Sequence, residues 1–228
     1  MKKILFNDKY ILTQAVLDGR KTMTRRIVTD KKLHYWKCSC PDMVIVKVPE
    51  SQKLKTDDNN TYFGIKDKIS SEYYCDTITS PYKVGEVVAI AQGYMDVDLF
   101  HRKGKNAAYL EYLDSILPEL KLSPGWGNKM FTKAALMPHH IKITGIKIER
   151  LQNISDEDCL KEGIGKYFIG FDSLHADYMG FTYSFDESGK YKYPNAKQAF
   201  ATLIDKISGK GTWSSNPYVF VYEFELVD

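Results

Sequence analysis

Two stretches of this chain alternate apolar and polar side chains with a period of two, and a helix cannot gather such a pattern onto one face. The first, residues 141–151, carries Ile141, Ile143, Ile146, Ile148 and Leu151, with a bend expected at Gly145 where the alternation slips. The second is residues 218–226. Both read as β-strands. Short apolar runs at 4–6, 43–48, 73–78 and 87–91 add further strands, and 21–28 reads as a loop running into another. Helical spacing appears at Ile11, Leu12, Ala15 and Val16, with Asn7 or Asp8 as the cap and Gly19 just past the end. It recurs at 108–117, where Pro118 is expected to stop it, and at 195–207 before Gly209. A short helix starts at Ser155, with Asp158 as a capping-box acid, and ends at Gly163. No strand–helix–strand unit repeats, which argues against a doubly wound parallel sheet. The order predicts an α+β chain, a small mixed β-barrel with peripheral helices. There is no internal repeat, low-complexity stretch or clean linker. One domain is therefore expected over 1–228, with an insertion at about 29–80 and a helical and loop excursion at about 95–135.

Composition narrows the class further. Hydrophobic residues at 43% and charged residues at 27% suit a globular core and exclude a disordered or collagen-like chain. Uninterrupted apolar runs are only a few residues long, so no membrane span is expected. Lys2 and Lys3 start like a secretory leader, but Asn7, Asp8 and Lys9 interrupt it before an apolar region accumulates. Four cysteines do not make a disulfide scaffold, and a reducing, cytoplasmic setting is expected. The net charge of +3 hides an asymmetry. Residues 1–37 hold ten basic and three acidic side chains, which leaves 22 basic against 26 acidic in the rest. A basic segment on a mildly acidic body points to a phosphate-bearing partner.

Four of those basic groups fall in one octapeptide, Gly19-Arg20-Lys21-Thr22-Met23-Thr24-Arg25-Arg26. If 21–26 is extended, Lys21, Met23 and Arg25 face one way and Thr22, Thr24 and Arg26 the other, unless a turn at 21–22 returns Lys21 towards Thr24. Lys and Arg donors suit phosphate, and a hydroxyl serves as donor or nucleophile. On spacing alone, a ligand site and a solvated basic loop stand equal. Other clusters favour plainer readings. Cys38-x-Cys40 with His34 and Cys75 lacks zinc-knuckle spacing, so no metal and no cofactor are expected. His139 and His140 are adjacent and point to opposite faces of a strand, which suits surface histidines. Asp158 and Glu162 share one helix face, with Asp158 assigned to capping and Glu162 left as the residue of interest. Tyr167, Phe168, Phe171, Tyr178, Phe181, Tyr183 and Phe185 are dense enough to stack on bases, but packing into the chain's own core is preferred.

Gly19-x-Lys21-x-x-Thr24-x-Arg26 resembles the signature of the ASCH domain, a PUA-like β-barrel family. The helix before it and the turn and strand at 81–88, Pro-Tyr-Lys-Val-Gly-Glu-Val-Val, are similar to the family's. Met137-Pro138, the strand at 141–151, Glu162-Gly163-Ile164 and Trp213-x-x-Asn216-Pro217-Tyr218 resemble long members found in phages and prophages. Gln92-Gly93-Tyr94 and His139-His140 stand where many of those carry charged residues. The resemblance implies a cleft that takes a nucleobase, modified nucleoside or RNA. In relatives that hydrolyse N4-acetylcytidine, the positions matched by Lys21, Thr24 and Glu162 imply a base, a nucleophile and a carboxylate that orients or shuttles a proton. Arg26 is implied to hold substrate or the oxyanion. The alternative is a non-catalytic RNA- or nucleotide-binding module that uses Arg20, Lys21, Arg25 and Arg26, or a phage-derived accessory protein. The oligomeric state is left open.

Overall fold

The structure, a computed structural model, describes residues 1–29, 33, 43–49, 60–69, 73–104, 107–171, 179–186 and 191–227. Among these the chain is α+β, with ten strands in three sheets. The largest sheet contains β1 (Lys3–Ile4), β2 (Met23–Ile27), β6 (Val87–Ile90), β7 (His140–Arg150) and β10 (Tyr218–Leu226). Its order is β1-β6-β7-β10-β2, and only the β1–β6 pair is parallel.

The two alternating segments are the central strands β7 and β10, and they pair with each other from Tyr218–Arg150 to Leu226–Ile141. The slip in the alternation at Gly145 corresponds to a register shift between Glu223 and Phe224 on the facing strand. Gly145 sits opposite Glu223, and a Cβ there would come within 2.8 Å of the Glu223 carboxylate. β10 is buried on both faces from Tyr218 to Tyr222 and alternates only from Glu223 onward.

β3 (Met43–Lys47), β4 (Tyr62–Asp67) and β5 (Tyr73–Thr79) pair as an antiparallel meander. The meander packs on the large sheet, and Met43, Ile45, Phe63, Ile65 and Ile78 join the same buried cluster as Ile4, Ile141 and Val219. Tyr218 donates its hydroxyl to the Met43 carbonyl at 3.1 Å. Tyr222 and Ser80 share a buried hydrogen bond of 3.1 Å. The helices are α1 (Leu12–Leu17), α2 (Tyr94–Gly104), α3 (Ala107–Leu122), α4 (Asp156–Lys161), α5 (Ala196–Ser208) and α6 (Thr212–Ser215). No described helix is long and apolar enough to cross a membrane.

The two outer strands of the large sheet, β1 and β2, come within reach of one another. The Arg26 guanidinium on β2 donates to the carbonyl of Leu5, the residue after β1. Phe6 then packs on Phe224 of β10 at 5.7 Å between ring centroids.

Three local expectations are corrected. α3 does not stop at Pro118 but runs through it to Leu122. Proline removes one backbone donor, yet Ile116 and Leu120 pack on the Ala89, Tyr94 and Val97 cluster, and that packing holds the last turn. Neither Asn7 nor Asp8 caps α1. A short 3-10 turn at Asp8–Tyr10 precedes it, Ile11 takes the left-handed cap position at φ 58°, and Asp8 accepts from the Thr13 hydroxyl instead. β8 (Gly165–Phe171) and β9 (Met179–Ser184) form a bulged antiparallel pair. Against the expectation that the aromatic residues of this stretch pack into the core, Phe168 and Phe181 on that pair are exposed, whereas Phe185 is buried against Tyr10 and Tyr191. The side chains of Phe171 and Tyr178 lie outside the described residues.

Candidate functional site

Two short helices end side by side and build the site. α1 closes at Gly19, where φ is +72°, and the Lys21 N–H turns back to the Ala15 carbonyl at 2.8 Å. α4 starts at Ser155, whose hydroxyl accepts from the Asp158 N–H at 3.0 Å. It closes at Glu162, followed by Gly163 at φ +100°. The Thr22 N–H donates to the Lys161 carbonyl at 2.9 Å, which fastens the octapeptide to the end of α4. Lys21 thus arrives at the carbonyl end of a helix, where a cation is favoured. Its Nζ donates to the Glu162 carbonyl and to Glu162 Oε2, both at 2.7 Å.

Arg25 joins them from β2. Its Nη1 donates to Glu162 Oε1 at 3.1 Å, and its Nη2 donates to Glu149 at 2.8 Å and Asp158 at 2.9 Å. Lys147 Nζ lies 3.1 Å from Glu149 and 3.7 Å from Asp158. Sheet register explains the meeting, because Val221 on β10 pairs with Arg25 on one side and Lys147 on the other. Arg25, Lys147 and Glu149 therefore share one face. Side-chain exposure falls along the chain of charges, from 47% at Lys147 to 17% at Glu149 and 16% at Asp158, then 0% at Arg25.

These environments move the titrating groups. Burial pushes Lys21 below its ordinary value, Glu162 pulls it back up, and Arg26 and Arg25 add to the downward push. Burial also opposes the Arg25 charge, but the Glu162, Glu149 and Asp158 carboxylates outweigh it and raise Arg25 above the ordinary value. Burial drives the nearby Cys159 thiol up to about 12, which makes it a poor nucleophile.

Lys21, Thr24, Arg25, Arg26 and Glu162 all line one cleft of about 280 Å³. Its opposite wall is apolar, formed by Leu203, Ile204 and Ile207 of α5. Lys21 precedes β2 rather than lying in it, and Thr24 and Arg25 are both buried, so strict alternation does not separate them. Arg20 stays outside: it pairs with Asp18 at 3.1 Å with both side chains about 40% exposed. Asp158 serves Arg25 with its carboxylate, not a capping box, while its backbone N–H takes the cap. The sequence reading missed Glu149, whose signal was the pair Lys147 and Glu149 two positions apart on a strand. It also missed the apolar wall from α5, because helical spacing alone made that face look like core.

The other candidates sit elsewhere. The His139 ring packs on Phe100 at 4.6 Å. Among the described residues no group of three or more His, Cys, Asp or Glu is placed to hold a metal ion. His34, Cys38, Cys40 and the Cys75 side chain lie outside the described residues. In comparison with known proteins, the chain matches no family model, no curated protein and no solved structure.

Proposed function

We propose that this protein is an ASCH-like, PUA-like barrel protein whose cleft binds a modified pyrimidine nucleoside and hydrolyses its N-acyl amide bond. The observation that carries the reading is the convergence of Lys21, Thr24 and Glu162 on one cleft, with Lys21 and Glu162 2.7 Å apart. The curl that lets Arg26 bridge the outer strands supports the barrel. A threonine hydroxyl is a weak nucleophile and needs a base, and a buried lysine held below its ordinary pKa supplies one. In this reading Lys21 takes the Thr24 proton as Oγ attacks the acyl carbonyl. Arg26 stabilises the oxyanion. The C–N bond then breaks, the Lys21 proton passes to the leaving amino group, and water hydrolyses the acyl-threonine to a carboxylate and free Thr24. Glu162 orients Lys21 throughout.

A binding module that lays RNA across Arg20 and Arg25 is less well supported, because both guanidiniums already engage carboxylates of the chain. The test is incubation of the purified protein with N4-acetylcytidine and a panel of acyl nucleosides. Wild type should release cytidine, and Lys21→Ala and Thr24→Ala should each lose at least ~10²-fold in rate. Binding without turnover across the panel would move the assignment to the non-catalytic module.

A further inference from the structure

The charge chain behind the cleft wall runs without a break from Lys147 at the surface to the fully buried Arg25, and it is built from three separate elements, β2, β7 and α4. We propose that Arg25, Glu149 and Asp158 are positioning residues that clamp the Glu162 carboxylate against Lys21 and set the pH at which Lys21 works as a base. The proposal rests on the hydrolytic reading of the cleft.

Three observations carry it. The two Glu162 oxygens are divided, Oε1 to Arg25 and Oε2 to Lys21, so Arg25 fixes the plane in which Glu162 meets the lysine. Arg25 itself is fixed from behind, because Nη2 is forked between Glu149 on β7 and Asp158 on α4. Neither carboxylate lines the cleft, and both reach its wall by holding Arg25. The charged groups facing this set come from every packed element. β2 gives Arg25 and Arg26, α4 gives Asp158 and Glu162 with Cys159 beneath, β7 gives Lys147 and Glu149, and α5 gives Lys197 beside Cys159.

The sign of each effect follows from charge. Arg25 is positive and disfavours a protonated Lys21, so removing its charge raises the pH at which Lys21 loses its proton. Glu149 and Asp158 are negative and favour it, so neutralising either lowers that pH. A scaffold that only held the fold together would not produce opposite signs.

The experiment is a titration of Lys21 by NMR in protein labelled with ¹³Cε-lysine, the Lys21 signal being the one absent from Lys21→Met. Arg25→Gln should raise the midpoint by about one pH unit, while Glu149→Gln and Asp158→Asn should each lower it by a few tenths. The acid limb of kcat/KM for acyl-nucleoside hydrolysis should move with the midpoint. Should Arg25→Gln fail to fold, the two carboxylate variants still decide, since both keep the Arg25–Glu162 pair. Unmoved midpoints, or shifts of the same sign in all variants, overturn the proposal. Opposite shifts in a protein that turns over no acyl nucleoside uphold the charge chain and overturn the hydrolytic reading.

Discussion

Lys21 is only 2% exposed, and burying a lone ammonium at that depth would cost several kcal/mol. The cost is offset by the Glu162 carboxylate, the Glu162 carbonyl and the end of α4, but not completely, which is why its pKa stays depressed. Stability should record this. In the unfolded chain Lys21 returns to its ordinary 10.5, while the native chain holds it lower. Between those two values the unfolded state binds a proton that the native state has released, so raising the pH through that window favours the fold. Below the native value both states are protonated, the pH dependence vanishes and the cost of burying the charge is carried in full. Wild type should therefore gain in stability on Lys21→Met as the pH rises towards 10.5, read as urea midpoints at several pH values. A difference that stays flat or falls over that range would mean Lys21 is not depressed.

At the scale of the element, the site depends on how two short helices stop. α1 and α4 are six residues each, too short to persist alone, and each ends on a glycine with positive φ. Gly163 is the more constrained. At φ +100° it follows Glu162 directly, and a Cβ there would lie 3.3 Å from Leu12 Cδ2. Gly163→Ala is expected to cost about 1–2 kcal/mol by chemical denaturation, from the left-handed backbone alone. If the cleft hydrolyses acyl nucleosides as proposed, Gly163→Ala should also lower turnover, because the strain is relieved by moving Glu162 away from Lys21. An unchanged denaturation midpoint would show that the turn relaxes freely. Helix ends of this kind were legible in the sequence at Gly19, Gly163 and Gly209. Pro118 was not, because a local rule says the helix stops there and only the packing of Ile116 and Leu120 carries it on.

Across the whole molecule, the meander of β3 to β5 is tied to the large sheet by aromatic residues of β10. Phe63 packs on Phe220 at 5.8 Å, and the Tyr218 and Tyr222 hydroxyls reach Met43 and Ser80. Tyr222 is completely buried, and Tyr222→Phe removes its hydrogen bond to Ser80 while Ser80 keeps the Tyr82 N–H, so the change should cost about 0.5–1.5 kcal/mol, measured by thermal or urea unfolding. No loss would mean that Ser80 finds another partner. None of this joinery was readable in advance, since Tyr218 and Tyr222 look like ordinary strand residues until a second sheet covers them. By contrast, the strands at 141–151 and 218–226, the bend at Gly145 and the helices from Ser155 and Asn195 followed from the chain itself, because period, caps and glycines act within a few residues. The crowding of basic groups into 19–26 was equally plain. Which of them enter the cleft was not. Arg25 turns from a surface cation into a buried clamp, and Arg20 stays outside, because carboxylates 124 to 137 residues away either reach the guanidinium or do not. Local pattern determines where strands and helices form; only the register of β2, β10 and β7 and the docking of α4 decide which charges meet, and burial then makes those meetings count.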